Sequence, residues 1–330
     1  MTTDNLYPNS NKIRAMSLKW NFLIASSLLP IASLLAQTNI DTTNVKGLGS
    51  RVGVDTLTPG WRTSGVITIN LTQVSLTNWA GGGESSISGI SMFNGQANWQ
   101  GEGRAWDNML VLAFGGQQVI DGPVFKTEDR IELLSKYGVQ LKHPWYLAAL
   151  GQFRTQFTEG FDANGDRISH FLAPGYLLGA IGLDYRPSTN FSVFFSPASA
   201  RLIMVQDETL WDVSDDPELR IYGVERGNTT EFEFGAFLRL QYTTELMKNL
   251  TFTTRGDLFS NYLRDPQNIK VNWETLWTLA VNEWLGVTLN TVLVYDHDIK
   301  LPRTDDEGNV SLAPRTQFKE TLGIGLTLKL

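Results

Sequence analysis

The chain of 330 residues contains no cysteine. That excludes disulfides, thiolate metal sites and a lipidated amino-terminal cysteine. Histidine is nearly absent as well, at His143, His170 and His297. Charged residues make up 18% of the chain, and the net charge of -7 comes without a basic stripe. Nucleic acid is therefore not an expected partner, because binding it starts from clustered Lys and Arg. Long hydrophobic runs are also missing. Beyond the first 36 residues nothing approaches the ~18 continuous apolar residues of a membrane-crossing helix. The mean hydropathy of -0.14 is likewise too polar for a helical membrane protein.

What the chain does contain begins with a leader. Lys12, Arg14 and Lys19 precede the apolar stretches Trp20–Ala25, Leu28–Ala32 and Leu34–Ala36, and Gln37 follows. A basic start, a short apolar stretch and a small residue before the cut describe a cleaved secretory signal peptide over residues 1–36. Met16 offers an alternative start that still gives a leader of ordinary length. Asn21, Ser26, Ser27, Pro30 and Ser33 interrupt the run and argue against an anchor. The leader carries a net +2, which leaves the rest of the chain near -9. Residues 37–60 read as a periplasmic amino-terminal segment and 61–330 as the folded domain.

From Trp61 onward, apolar and polar residues alternate. Ile67, Ile69 and Leu71 face Thr68, Asn70 and Thr72; Phe232, Phe234, Leu238 and Leu240 face Glu231, Glu233, Arg239 and Gln241. A period of two places the two sets on opposite faces of a strand. Strands are predicted at 62–74, 86–100, 104–119, 129–141, 145–158, 172–187, 190–205, 229–244, 249–263, 269–282, 284–296 and 315–330. Short turns alternate with longer connections at 75–85, 120–128, 159–171, 206–228, 264–268 and 297–314. An even number of strands with short turns at one end and long loops at the other is the pattern of outer-membrane barrels. Aromatic residues beside each short turn (Trp99, Trp106, Trp145, Tyr146, Tyr185, Phe191, Tyr242, Phe252 and Trp284) read as an interfacial girdle. The alternating end, Leu322 to Leu330, can close on the first strand and leave no open edge in lipid. The expected fold is therefore all-β, a transmembrane antiparallel barrel of about twelve strands in a bacterial outer membrane.

On that map, one polar set faces the lumen: Arg130, Glu132, Lys136, Arg154, Asp184, Arg186, Glu231, Glu233, Arg239, Arg255, Asp257 and Glu274. Glu231 and Glu233 have the spacing of an acid–base pair, but mixed charges in a barrel lumen ordinarily pair with one another. No catalytic, cofactor or metal residue is expected. A barrel phospholipase needs Ser and His within reach of each other, whereas all three His fall in turns or loops and no Gly-x-Ser-x-Gly elbow is present. His170 and His297 with Asp296 or Asp298 make a weak metal set. Asp162–Asp166 departs from a calcium loop, because its Gly comes early and Ala173 stands where the distal Glu belongs. Asp305–Asn309 reads as a solvated loop tip.

The loop from Ser75 to Ser85 is the other feature singled out. Asn78 and Glu84 can bond backbone amides, Gly81, Gly82 and Gly83 permit close approach, and Trp79 needs a surface to cover it. An ordered element is expected there, folded inward over the lumen.

The stretch Leu76-Thr77-Asn78-Trp79-Ala80-Gly81-Gly82-Gly83-Glu84-Ser85-Ser86-Ile87-Ser88-Gly89 resembles a Bacteroidota family catalogued as domain of unknown function 3078. Lys126–Leu133, Phe153–Phe157, Phe171–Tyr176 and Phe194–Pro197 extend the likeness over about residues 60–330. The resemblance implies an outer-membrane barrel and no activity. The expected function is a barrel without enzymatic activity, an accessory or partner-binding component of the outer membrane. Its partners would be membrane lipid and a further outer-membrane or surface protein. The alternative is a small diffusion channel with a charged, partly filled lumen.

Overall fold

The computed structural model describes residues 59–75, 85–119, 122, 124–161, 165–213, 220–304 and 310–330. The expected leader, most of the 37–60 segment, the Asn78–Glu84 loop and Asp305–Asn309 lie outside them.

The first strands are β1 (Gly60–Val74), β2 (Ser86–Gly101), β3 (Arg104–Val119), β4 (Val124–Lys142) and β5 (Trp145–Thr155). The middle group is β6 (Gly160–Phe161), β7 (Arg167–Ser169), β8 (Gly175–Ser188), β9 (Phe191–Met204), β10 (Arg220–Ile221) and β11 (Val224–Glu225). The rest are β12 (Thr230–Met247), β13 (Leu250–Asn261), β14 (Lys270–Ala280), β15 (Leu285–Tyr295), β16 (Lys300–Thr304), β17 (Val310–Pro314) and β18 (Gln317–Lys329). Twelve form a closed antiparallel barrel in the order β1-β18-β15-β14-β13-β12-β9-β8-β5-β4-β3-β2. The other six pair as hairpins inside the long connections. Closure runs through β1 and β18, where Val66 faces Lys329 and Asn70 faces Gly325.

Alternation explains the two surfaces. Leu133, Tyr137 and Val139 of β4 are exposed, while Glu132, Leu134 and Lys136 between them are buried. The same split recurs on β8, where Leu177, Ile181 and Leu183 point out and Leu178, Ala180 and Asp184 point in. Leu322, Ile324, Leu326 and Leu328 continue the apolar outer face on β18. Several polar groups on that face are satisfied within it. Trp106 Nε1 donates to Ser135 Oγ at 2.8 Å, Trp273 Nε1 to Thr254 Oγ1 at 2.9 Å, and the Thr275 and Thr291 hydroxyls lie 2.6 Å apart. An outer surface without open backbone edges and with paired polar atoms is what hydrocarbon demands.

The short turns, at residues 102–103, 143–144, 189–190, 248–249 and 281–284, share one end with the start of β1 and the end of β18. The rings gather there. Trp61, Trp99, Trp106 and Tyr137 are successive cross-strand partners on β1 to β4. Trp145 and Tyr185 pack with ring centroids 4.8 Å apart, Phe191 and Tyr242 meet edge to face at 6.5 Å, and Phe252 and Trp277 pack at 4.5 Å. One connection is shorter than the sequence suggests. Strand β4 begins at Val124 instead of 129, and a bulge at Thr127 of β4, opposite Gly115 and Gly116 of β3, lets the added residues pair.

Candidate functional site

The charged side chains turned into the barrel fall into layers. Nearest the short turns, Lys136 pairs with Asp184, both fully buried. Arg186 Nε donates to Asp184 Oδ2 at 2.6 Å and Nη2 lies 3.1 Å from Asp107 Oδ2. The Arg186 guanidinium also stacks over Tyr146, 5.0 Å from its centroid; strand alternation turns that ring into the barrel, so Tyr146 is not part of the girdle as expected, whereas Trp145 beside it is exposed. An apolar cluster, Leu134, Leu150, Leu178, Phe194, Phe237 and Phe259, also packs inside the barrel.

The bore is bridged. Arg130 of β4 pairs with Glu132 on its own strand and reaches Glu274 of β14 at 3.1 Å. In the ring of twelve, β4 and β14 are six strands apart, so the contact joins opposite walls. Arg255 of β13 completes the group, 3.1 Å from Glu132 and 3.0 Å from Glu274. Beside it, Arg239 of β12 holds Asp257 of β13 at 2.7 Å and crosses to Gln152 of β5 at 2.8 Å. Each cation carries a carboxylate partner, which offsets the cost of removing charge from water.

At the long-loop mouth, Arg201 and Lys270 hold Glu233 at 3.2 and 2.6 Å. Lys270 also contacts Asp296 and Asp298, and Arg264 bridges Glu231 at 3.2 Å and Asp298 at 2.9 Å. Glu231 and Glu233 are thus tied to separate cations. Arg239 pairs with Asp257, and with neither of those glutamates.

Arg154 stands apart. Its cross-strand neighbours are Glu132 and Tyr176. Glu132 is occupied by Arg130, Arg255 and the Gln152 amide, so Arg154 stacks on the Tyr176 ring at 5.3 Å instead. Arg201 packs against the same ring at 5.0 Å.

Two cavities flank the bridge. The larger, about 330 Å³, is lined by Met92, Asn94, Val111, Ala113, Asn290 and Val292 on one side and by Arg130, Arg154, Arg255 and Glu274 on the other. Its lining on β4 lies between Glu128 and Leu134, six residue steps or ~20 Å of strand apart. The smaller, about 110 Å³, lies toward the mouth among Leu178, Phe237, Phe259, Asp257, Lys270 and Asp296.

The mouth is partly roofed. Ile203, Val205, Leu210, Trp211 and Val224 form a second apolar cluster that includes a 3-10 turn at Glu208–Val213. Asp207 accepts from Thr209 and from Arg167 Nη1 at 2.9 Å, which joins the loops on either side of β8 and β9. Burial alone would raise the Asp207 carboxyl, but the Thr209 and Arg167 hydrogen bonds outweigh it and hold the group below the ordinary carboxylate value.

The histidines take local partners: His170 forms a bridge with Ala173 and lies 3.9 Å from Glu159, and His297 sits 3.3 Å from the Tyr295 hydroxyl.

Comparison with known proteins gives two partial matches to family models. The chain matches the model described as protein of unknown function, DUF3078, over residues 71–161. A second model, protein of unknown function DUF481, matches residues 198–313. Phe171–Tyr176 and Phe194–Pro197, which extend the resemblance in the sequence, fall outside both matches. No curated protein matches. Among solved structures, the NanC porin is 9% identical and covers 80% of this chain and 100% of its own, with a TM-score of 0.34. An outer membrane channel from Pseudomonas putida F1 is 12% identical, covering 84% and 98% with a TM-score of 0.38. The translocator domain of the autotransporter NalP from Neisseria meningitidis is 10% identical, covering 86% and 91% with a TM-score of 0.32. None carries a residue role or a ligand over to this chain.

Several lumen residues escape the sequence reading. Arg201 lies beyond a bulge at Ser196–Ala198, where β9 slips by a residue against both β8 and β12 and the alternation changes phase. Lys270 is the first residue of β14, where no preceding repeat sets its face. Phe194, Phe237 and Phe259 point inward although aromatics on barrel strands usually signal lipid. A parity count restarted after Pro197 would have placed Arg201.

Proposed function

We propose that the chain is a narrow diffusion channel of a bacterial outer membrane and performs no chemistry of its own. One observation carries this reading: the 330 Å³ cavity runs lengthwise beside the Arg130–Glu132–Arg255–Glu274 bridge, and its lining is partly polar. Ion pairs fixed across the bore leave a side passage and set its width, so solutes of a few non-hydrogen atoms would pass and larger ones would be stopped. Charged groups already paired resist collapse of the passage, because each carboxylate keeps its cation within about 3 Å. The apolar outer wall and the aromatic ring at the short turns support residence in a membrane with lipid as a direct partner.

Liposome swelling tests the proposal. Vesicles containing the folded protein should swell in isotonic glycerol or lactate and stay intact in a disaccharide. Absence of swelling in every solute would refute it.

A second reading, an accessory subunit that binds a protein, rests on Phe157, Phe161, Ile168 and Phe171, which are exposed on and beside the loop hairpin of β6 and β7. Replacing these four by Ser should abolish co-purification of an outer-membrane partner while solute flux persists.

A further inference from the structure

The lumen charges balance cluster by cluster. Arg130 and Arg255 meet Glu132 and Glu274; Arg239 meets Asp257; Lys136 and Arg186 meet Asp184 and Asp107. At the mouth, Arg201, Lys270 and Arg264 answer Glu233, Asp296 and Asp298. Lys319 of β18 pairs with Glu128 and Lys126 with Asp129. Arg154 is the surplus, and the carboxylate opposite it across the strands, Glu132, is spent on other donors.

Four residues border both cavities: Arg154, Tyr176, Asn272 and Val294. Arg154 and Tyr176 come from β5 and β8, and Asn272 comes from β14 on the facing wall. Among the described residues, the Arg154 guanidinium, the Tyr176 hydroxyl and the Asn272 amide have no hydrogen-bond or ion-pair partner. Three unspent donors at one junction are unusual in a lumen where the other acids and bases are matched. An unpaired guanidinium away from bulk water is costly unless something at the site answers its charge. Stacking on Tyr176 leaves the edges of the guanidinium free, and those edges match a carboxylate in a two-point contact.

The smaller cavity supplies a second preference. Next to Arg154 it is walled by Leu178, Phe237, Phe259, Val271 and Ile299. Its volume of about 110 Å³ is several times the ~10–15 Å³ that one water needs on the same measure. Water alone satisfies the donors poorly against such walls, whereas a hydrocarbon chain packs on them. Its two acids are already committed, Asp257 to Arg239 and Asp296 to Lys270, so neither repels a bound anion at full strength.

We infer that the junction at Arg154, Tyr176 and Asn272 binds a small organic carboxylate whose apolar tail lies in the adjoining cavity. This deepens the channel reading and rests on it only for the route by which the ligand arrives.

Calorimetric titration of the detergent-folded protein tests the site without any need for conductance. Hexanoate should bind at least tenfold more tightly than acetate, inorganic phosphate or hexan-1-ol. Arg154→Gln should weaken hexanoate at least tenfold and leave hexan-1-ol unchanged, with folding checked by heat-modifiable gel mobility. Asn272→Leu, which keeps Arg154 in place, should weaken hexanoate by a smaller factor and serves if Arg154→Gln fails to fold. Equal affinity for phosphate and hexanoate, or unchanged hexanoate binding in the variants, would overturn the inference. Binding without solute flux would sink the channel and leave the site standing; flux without binding would do the reverse.

Discussion

Arg239 and Asp257 face each other from adjacent strands and meet fork to fork, Nε to Oδ1 and Nη2 to Oδ2 both at 2.7 Å. The arginine is fully buried, so each partner is the other's main compensation for lost hydration. Arg239→Leu should therefore destabilise the barrel by about 3–5 kcal/mol, because Asp257 is left charged and unpaired. Replacing both, with Asp257→Leu added, should recover most of that loss. Urea titrations in lipid vesicles check it; equal instability of the single and double variants would show that the pair is not the unit.

Depth in the membrane gives a second expectation. Leu238 lies mid-strand on the outer face of β12, whereas Leu246 lies near the short turn. Leu238→Arg should cost about 2–4 kcal/mol and Leu246→Arg about 0–1 kcal/mol, following the depth profile of charge on a barrel wall. The same vesicle-folding titration measures both. Equal tolerance at the two sites would remove the lipid assignment of that face.

These strands are legible in the sequence because a period of two survives wherever one face is apolar, and the girdle is legible because its rings cluster beside turns. Partner choice is not legible in the same way. Arg239 has Glu231 and Glu233 on its own strand, yet it pairs with Asp257, since cross-strand register decides which acid lies opposite. Arg130 and Glu274 are 144 residues apart, and their contact depends on closure of the ring. Arg201 is hidden by a one-residue slip in β9, and nothing in its neighbours marks that slip except Pro197. Arg154 can be placed in the lumen from alternation, but its lack of a partner emerges once every other pairing is known.

The roof over the mouth should respond to acid with a defined sign. Asp207 is held below the ordinary carboxylate value in the folded state, so its contribution is present above about pH 4 and lost as pH falls through the lower folded value. Hydrogen exchange of residues 207–211, corrected for intrinsic rate, should stay slow at pH 7 and 5 and quicken at pH 3. Asp207→Asn should raise exchange at neutral pH and flatten this dependence. A roof that loosens already between pH 7 and 5 would point to a different group.

The central claim is that solute passes through the cavity beside the Arg130–Glu274 bridge. Ala113 is a small, buried residue on the cavity wall, with Arg130 as its cross-strand neighbour. Single-channel recording in a planar bilayer, with wild type and Ala113→Trp side by side, measures the passage directly. The account predicts small, steady openings for the wild type and at least a several-fold loss of conductance for Ala113→Trp, with both proteins showing the same heat-modifiable mobility on gels. A wild type that folds but never conducts, or an Ala113→Trp variant with undiminished conductance, would contradict it.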